Sequence, residues 1–268
     1  MKHLERAALA EEVILREIMS IRNELPVLGG RKLFQLITQR LPGSMLPGRD
    51  AFFRMLGTNG LLIKKRKSYR PITTISWHRF HKFTNLWKRR TPEGPPQGWH
   101  LSDRLDMEGP ILALEMAIEN LPKGHRLIHH SDRGVQYCSK AYVELLQANN
   151  IQISMTENGD PRENAVAERV NGILKDEWLN RERMESLEQA RSRVETIIGL
   201  YNNKRPHLSN NYLTPEQAHK MNGVLKRQWK TYYKKRTEVD NMQEDCVTLQ
   251  MKPVVDCRGT PAVNHRQD

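Results

Sequence analysis

A chain of 268 residues with 38% hydrophobic content can bury the core of one large or two modest domains. Its net charge of +12 is unevenly placed: residues 1–100 hold 19 Lys and Arg against 7 Asp and Glu, and the remainder hold 24 against 24. That division excludes a uniformly basic coating protein and predicts a basic polyanion-binding module followed by a charge-balanced globular one. The lack of a run of ~18 apolar residues predicts no membrane span. The N-terminus interrupts its apolar pattern with acids, unlike a signal peptide. Cys138, Cys246 and Cys257 are odd in number and lack CxxC spacing, so neither a disulfide framework nor a zinc knuckle is expected, and an intracellular compartment is.

In chain order, Leu4, Ala8, Val13, Ile14, Ile18 and Ile21 recur near helical spacing over residues 4–23, and the pattern stops at Pro26 and Gly29-Gly30. RKLFQLITQR, residues 31–40, forms a second short helix. After the breaker-rich LPGSMLPG, RDAFFRMLGT turns Phe52, Phe53 and Leu56 inward and Arg49, Asp50, Arg54 and Thr58 outward. Three short helices with Gly and Pro turns fit a helix-turn-helix unit whose last helix enters a major groove. An ordinary helical bundle with a solvated basic face is the alternative. Lys64, Lys65, Arg66 and Lys67, then Tyr69, Arg70, Trp77, Arg79, Phe80, Lys82 and Trp87, interleave cations with aromatics, which suits tracking along a nucleic-acid backbone. TPEGPPQG, residues 91–98, reads as a linker.

Beyond it, a helix over 107–120 is expected to be capped by Ser102 or Asp106. HRLIHHSD is a short buried strand ending at Asp132, KAYVELLQAN a helix, IQISMT a strand, and ENGDPRE a loop. Alternation of this kind indicates an α/β layer. From Asn164 to about Asn180, the stripe Val166, Val170, Ile173, Leu174 and Trp178 predicts an amphipathic helix. At 100° per residue its opposite side gathers Glu168 and Lys175 with Asn164 and Asn171. A further helix, ESLEQARSRVETIIGLYNN, starts at a Ser186 cap. KRQWKTYYKKR, residues 226–236, is a second basic and aromatic run, and weak order is expected beyond Glu238.

HSDRGVQYCS, SMTENGDPRENAVAERVNGILKDEW and YNNKRPHLSNNYLTPEQAH together resemble the second half of the integrase core of bacterial insertion-sequence-three-type transposases, relatives of retroviral integrases. The resemblance covers about residues 15–220. It implies an α/β, ribonuclease-H-like core preceded by an all-α helix-turn-helix module, and a catalytic Asp, Asp, Glu triad that holds Mg²⁺ or Mn²⁺ for phosphodiester cleavage and strand transfer. Asp132 and Glu168, with 35 residues between them as in the family, match the second and third acids. Lys175, seven positions after Glu168, matches the family's basic residue. The family's Asp-Asn-Ala stands here as Glu163-Asn164-Ala165. Lys204 and Arg205, in the closing segment, are expected at DNA, although loop and helix-start chemistry accounts for that segment equally well.

The first acid has no match. In the family it lies on a first core strand, whereas here TPEGPPQ runs directly into GWHLSDRLD, and the only aspartates before Asp132 are Asp50, Asp103 and Asp106. Three strands with their turns amount to a deficit of roughly 25–35 residues. The expectation is a core without its first strands, an exposed strand edge and lost catalysis. Four segments follow: a helical DNA-binding module at 1–60, a basic linker at 61–98, a core at 99–220 and a basic tail at 221–268. DNA is the expected partner, with a homo-oligomer and an upstream-frame protein as further ones, in the bacterial cytoplasm at the nucleoid. A DNA-binding remnant that competes for element ends without chemistry is the second reading.

Overall fold

The computed structural model describes residues 2–64, 79–86, 98–102, 107–121, 124, 127–157 and 163–221. It divides into two compact units, Met1–Tyr69 with Gly199–Lys230, and Arg70–Ile198.

The first unit is helical. Helix α1, Lys2–Glu24, buries Ile14, Ile18 and Ile21 on one face. Helix α2, Gly30–Arg40, buries Leu33 and Ile37, and α3, Arg49–Thr58, buries Phe52 and Leu56, each pair one helical turn apart. The Phe34 and Phe52 rings meet at 5.1 Å. The start of α2 approaches α3 so closely that a Cβ at Gly30 would stand 2.7 Å from Phe53. Gly60, at φ +66°, ends α3, and Leu61 N–H returns to Leu56 C=O at 2.7 Å, a glycine-based helix stop. Arg22 reaches the Leu61 carbonyl at 2.6 Å and fixes where the chain leaves this stop.

In the second unit, α4 spans Glu108–Glu119, β1 Ile128–Ser131, α5 Lys140–Ala148 and β2 Gln152–Met155. The strands are parallel, Ile128 opposite Gln152 and Ser131 opposite Met155, with α5 as the crossover that parallel pairing requires. Ser139 caps α5 by accepting Tyr142 N–H. Leu114, Leu127, Tyr142, Leu146 and Met155 form the core between the strands, α4 and α5. Helix α6, Ala165–Glu177, follows, and then α7, Leu187–Asn203, of which the part up to Ile198 belongs to this unit. A smaller cluster joins Leu101 to Ala190, Val194 and Ile198 of α7, with Leu174 of α6 against it. Gln189 N–H bonds the Ser186 hydroxyl at 3.1 Å, the cap expected of α7.

Four expectations need correction. The residue before α4 is Met107, which offers no side-chain cap; Ser102 is not at the helix start, and Asp106 lies outside the described residues. The helix expected to run to Asn180 ends at Glu177, because the buried Trp178 leaves helical geometry at φ −132° and a 3-10 turn, Leu179–Arg181, takes over. The α6 stripe is only partly inward: Trp178 is fully buried, but Val166 is 42% exposed. The strand pair is not exposed, since all four residues of β1 and three of β2 are buried. Part of the covering is the segment 83–86, where Phe83 packs on the core and Leu86 N–H donates to Ser154 Oγ at 2.9 Å.

Candidate active site

Asp132 is the first residue beyond β1 and is half-buried. Its Oδ1 accepts Gly134 N–H at 3.0 Å, an Asx-type turn that aims the carboxylate along the strand end. A Cβ at Gly134 would stand 2.9 Å from that same oxygen, so a side chain there would push the carboxylate aside. Glu168 occupies the first turn of α6 and is exposed, and Lys175 is exposed two turns later on the same helix. Asn164 does not share their polar face; it is the residue before the helix and is buried. Lys175 and Asn171 border a cleft of about 50 Å³ whose floor includes Leu174, Leu101 and Ile197.

A hydrogen-bonded cluster that the sequence did not single out sits beside Asp132. His130 and Asp132 are two residues apart and so point to the same side of the strand. His130 lies opposite Ser154 in the parallel register, and its Nδ1 meets Ser154 Oγ at 2.9 Å. His130 Nε2 lies 3.1 Å from the Glu163 carbonyl, which can only accept, so the neutral ring carries its hydrogen on Nε2 and donates it there. Nδ1 then accepts the Ser154 hydroxyl proton, while the same hydroxyl oxygen accepts Leu86 N–H. Burial holds His130 below the usual histidine range, against the opposing effects of the Glu163 carbonyl and the Glu163 and Asp132 carboxylates. The Glu163 carboxylate accepts Asn85 Nδ2–H at 2.9 Å and also the backbone N–H of Glu157. The alternation of His130 with Asp132 was a usable signal; Asn85, Ser154 and Glu163 offered none, since their partners lie up to 78 residues away.

On the other side of β1, His129 is fully buried and bonded to Tyr142 OH at 2.9 Å. Burial, aided by neighbouring His130, depresses it to about 3. The hydroxyl groups of Tyr137 and Tyr142 are pushed up, chiefly by burial.

Among the described residues, no third carboxylate is placed with Asp132 and Glu168. Asp50 is on α3 in the other unit, exposed and paired with Arg49 at 2.9 Å, while Asp103 and Asp106 lie outside the described residues. Among the described residues, no group of three His, Cys, Asp or Glu is placed to hold a metal ion. Among the described residues, Asp132 and Glu168 by themselves do not make up the three-acid set of a two-metal centre.

Of the cations expected at DNA, Arg49, Arg54 and Lys64 are exposed in the first unit, and Lys65, Arg66 and Lys67 lie outside the described residues. Lys204 forms an ion pair with Glu24. Arg205 is 4% exposed, lies over the Tyr201 ring and contacts His207, so its guanidinium holds the turn after α7 rather than facing solvent. The neighbouring Thr214 and Gln217 form a capping box at α8, Pro215–His219, which is the helix-start chemistry anticipated there.

Two families described as integrase core domain match the chain, over residues 149–215 and residues 96–161. The transposase for insertion sequence element IS629 of Shigella sonnei is 32% identical over 124 residues, 46% of this chain and 41% of that protein. The insertion element IS600 uncharacterized 31 kDa protein of the same organism is 27% identical over 70% of this chain and 82% of its own length. Transposase InsF for insertion sequence IS3A of Escherichia coli (strain K12) is 32% identical over 56% of this chain and 51% of its own. The chain thus spans about half the length of the two named transposases. Among solved structures, a simian T-cell lymphotropic virus intasome in complex with PP2A regulatory subunit B56 gamma is similar over 76% of each chain, at 15% identity and a TM-score of 0.38, too loose a likeness to define the fold.

Proposed function

We infer the function from the premise that the chain is an insertion-sequence-three-type transposase relative with a ribonuclease-H-like integrase core. It acts in DNA transposition, as a protein that binds the ends of its element and does not itself cut or join them. The observation that carries this reading is the pairing of an exposed basic helix with an incomplete acidic site. Arg49 and Arg54 lie open on α3, whereas Asp132 and Glu168 have no third carboxylate beside them among the described residues.

Divalent metal ions serve the chemistry of this family. Among the described residues, no three-acid set that would hold two such ions is present. Asp132 and Glu168 retain the positions of two of the three acids. Arg49, Arg54, Lys64, Lys65, Arg66 and Lys67 supply phosphate contacts from the basic first hundred residues, and Lys175 supplies one from the core. Each cation that meets a phosphate steepens the salt dependence of binding, so affinity should fall strongly as salt rises. The working form is a homo-oligomer on element ends in the bacterial cytoplasm, in which the chain competes with intact transposase and an upstream-frame protein is a further partner. Among the described residues, no helix is long and apolar enough to cross a membrane.

Fluorescence anisotropy on DNA duplexes carrying the element's terminal repeats tests this. Binding should weaken by about one unit of log-log salt slope for Arg54→Ala, and by about two for the Arg49→Ala/Arg54→Ala pair. Unchanged affinity and slope in the double variant would remove α3 from the interface.

A further inference from the structure

Glu163 gathers three hydrogen bonds at the entry to α6. It lies five residues before Glu168 and two before the first residue of α6. Its carbonyl accepts from His130, two residues before Asp132 on β1. One carboxylate oxygen accepts the N–H of Glu157, which follows β2 closely, and the other accepts Asn85 of the covering segment. One side chain thus bonds both the residue that follows β2 closely and the covering segment to the start of α6. The strand that leads to Asp132, the exit of β2 and the start of α6 all meet there.

We propose that Glu163 and His130 are positioning residues: they register the helix that carries Glu168 and Lys175 against the strand that leads to Asp132. The bond polarities are mutually consistent. The Glu163 carbonyl, an acceptor only, takes His130 Nε2–H; His130 Nδ1 then accepts the Ser154 hydroxyl proton, and the Ser154 oxygen accepts Leu86 N–H. Asn164, next to Glu163, is buried, and Glu168 N–H bonds the Asn164 carbonyl at 3.2 Å, so the first turn of α6 starts from the pinned residue. Charge-assisted bonds to a carboxylate are roughly twice as strong as neutral ones, which suits Glu163 to hold two donors at once. A side chain with a single acceptor cannot do so in the same geometry.

The inference rests on the DNA-binding reading only for what α6 presents, and two measurements on the full chain separate them. The first is amide hydrogen exchange without DNA or metal. Glu163→Ala should speed exchange at Glu157 and at Glu168 by more than tenfold, while the strand amides of Gln152 and Thr156 change by less than twofold. Glu163→Asp, which keeps both acceptor oxygens, should recover most of the protection; Glu163→Gln, which keeps one, should recover less. Acceleration spread evenly over β2 and α6, or none at all, overturns the proposal. The second is affinity for the terminal-repeat duplex. Glu163→Ala should weaken it about three- to fivefold in the native background and have no further effect when Lys175 is already Ala. Equal losses in both backgrounds would show that Glu163 only stabilises the unit, and would overturn the positioning role. If Lys175→Ala and the α3 variants all leave DNA affinity unchanged, the DNA-binding reading fails while exchange still decides the role of Glu163.

Discussion

Between α1 and α3 every buried side chain is aliphatic or aromatic, from Ile14, Ile18 and Ile21 to Phe52 and Leu56. The α/β unit closes its interior with a different mixture. Its strands bury His129, His130, Ser131 and Ser154 beside Leu127, Ile153 and Met155, and Asn85 and Asn164 are buried nearby. Apolar packing tolerates approximate partners, whereas each buried polar group needs a specific one and costs free energy without it. The core between α1 and α3 should therefore respond to lost volume, and the α/β unit to lost hydrogen bonds and to changes in charge.

The largest effect expected from this difference is in the helical unit. Phe52→Ala removes a fully buried ring that packs on Phe34, and should cost about 3–5 kcal/mol in urea unfolding followed by a probe in that unit. A cost below ~1 kcal/mol would mean that this core is not closed.

Acid should act on the other unit. His129 is neutral when buried and titrates near 3, whereas the unfolded chain takes up that proton near the ordinary histidine value. Its stabilising effect is complete above about pH 6.5 and is lost by roughly 1.4 kcal/mol per unit as the pH falls toward 3. His130, Tyr137 and Tyr142 surround it, and the tyrosines stay neutral over that range. Helices α2 and α3 contain no histidine. Acid titration monitored in each unit should unfold the α/β unit first; simultaneous loss would erase the contrast.

The smallest effect belongs to the surface. The Arg16 and Glu12 pair is well exposed, and Arg16→Ala should change stability by no more than about 0.5 kcal/mol in the same unfolding assay. A larger loss would give α1 a role that its solvated side does not suggest.

The same contrast explains what the sequence made legible. Helices α1, α2, α3 and α7 follow from apolar spacing, since each presents one stripe to one core, and the two strands follow from short apolar runs bounded by turn residues. The apolar run before Asp132 placed it at a strand end and the helical stripe placed Glu168 on a helix, and both stand there. Legibility stopped where the interior is polar. The bonds from Asn85 to Glu163 and from His130 to Ser154 join residues far apart in sequence with no periodic signal. Arg205 carried the composition of a DNA contact, but packing against Tyr201 and His207 buries it. The extent of α6 was overestimated because the apolar spacing continues through Trp178, while the backbone turns out of the helix at that residue.

The most direct test of the account is a strand-transfer assay with Mg²⁺ or Mn²⁺ on DNA carrying the element's ends, run beside a binding measurement on the same preparation. The account predicts salt-sensitive binding with no cleaved or joined product. Product that forms with this chain and disappears in Asp132→Asn would contradict it, and would require a third carboxylate to reach the site.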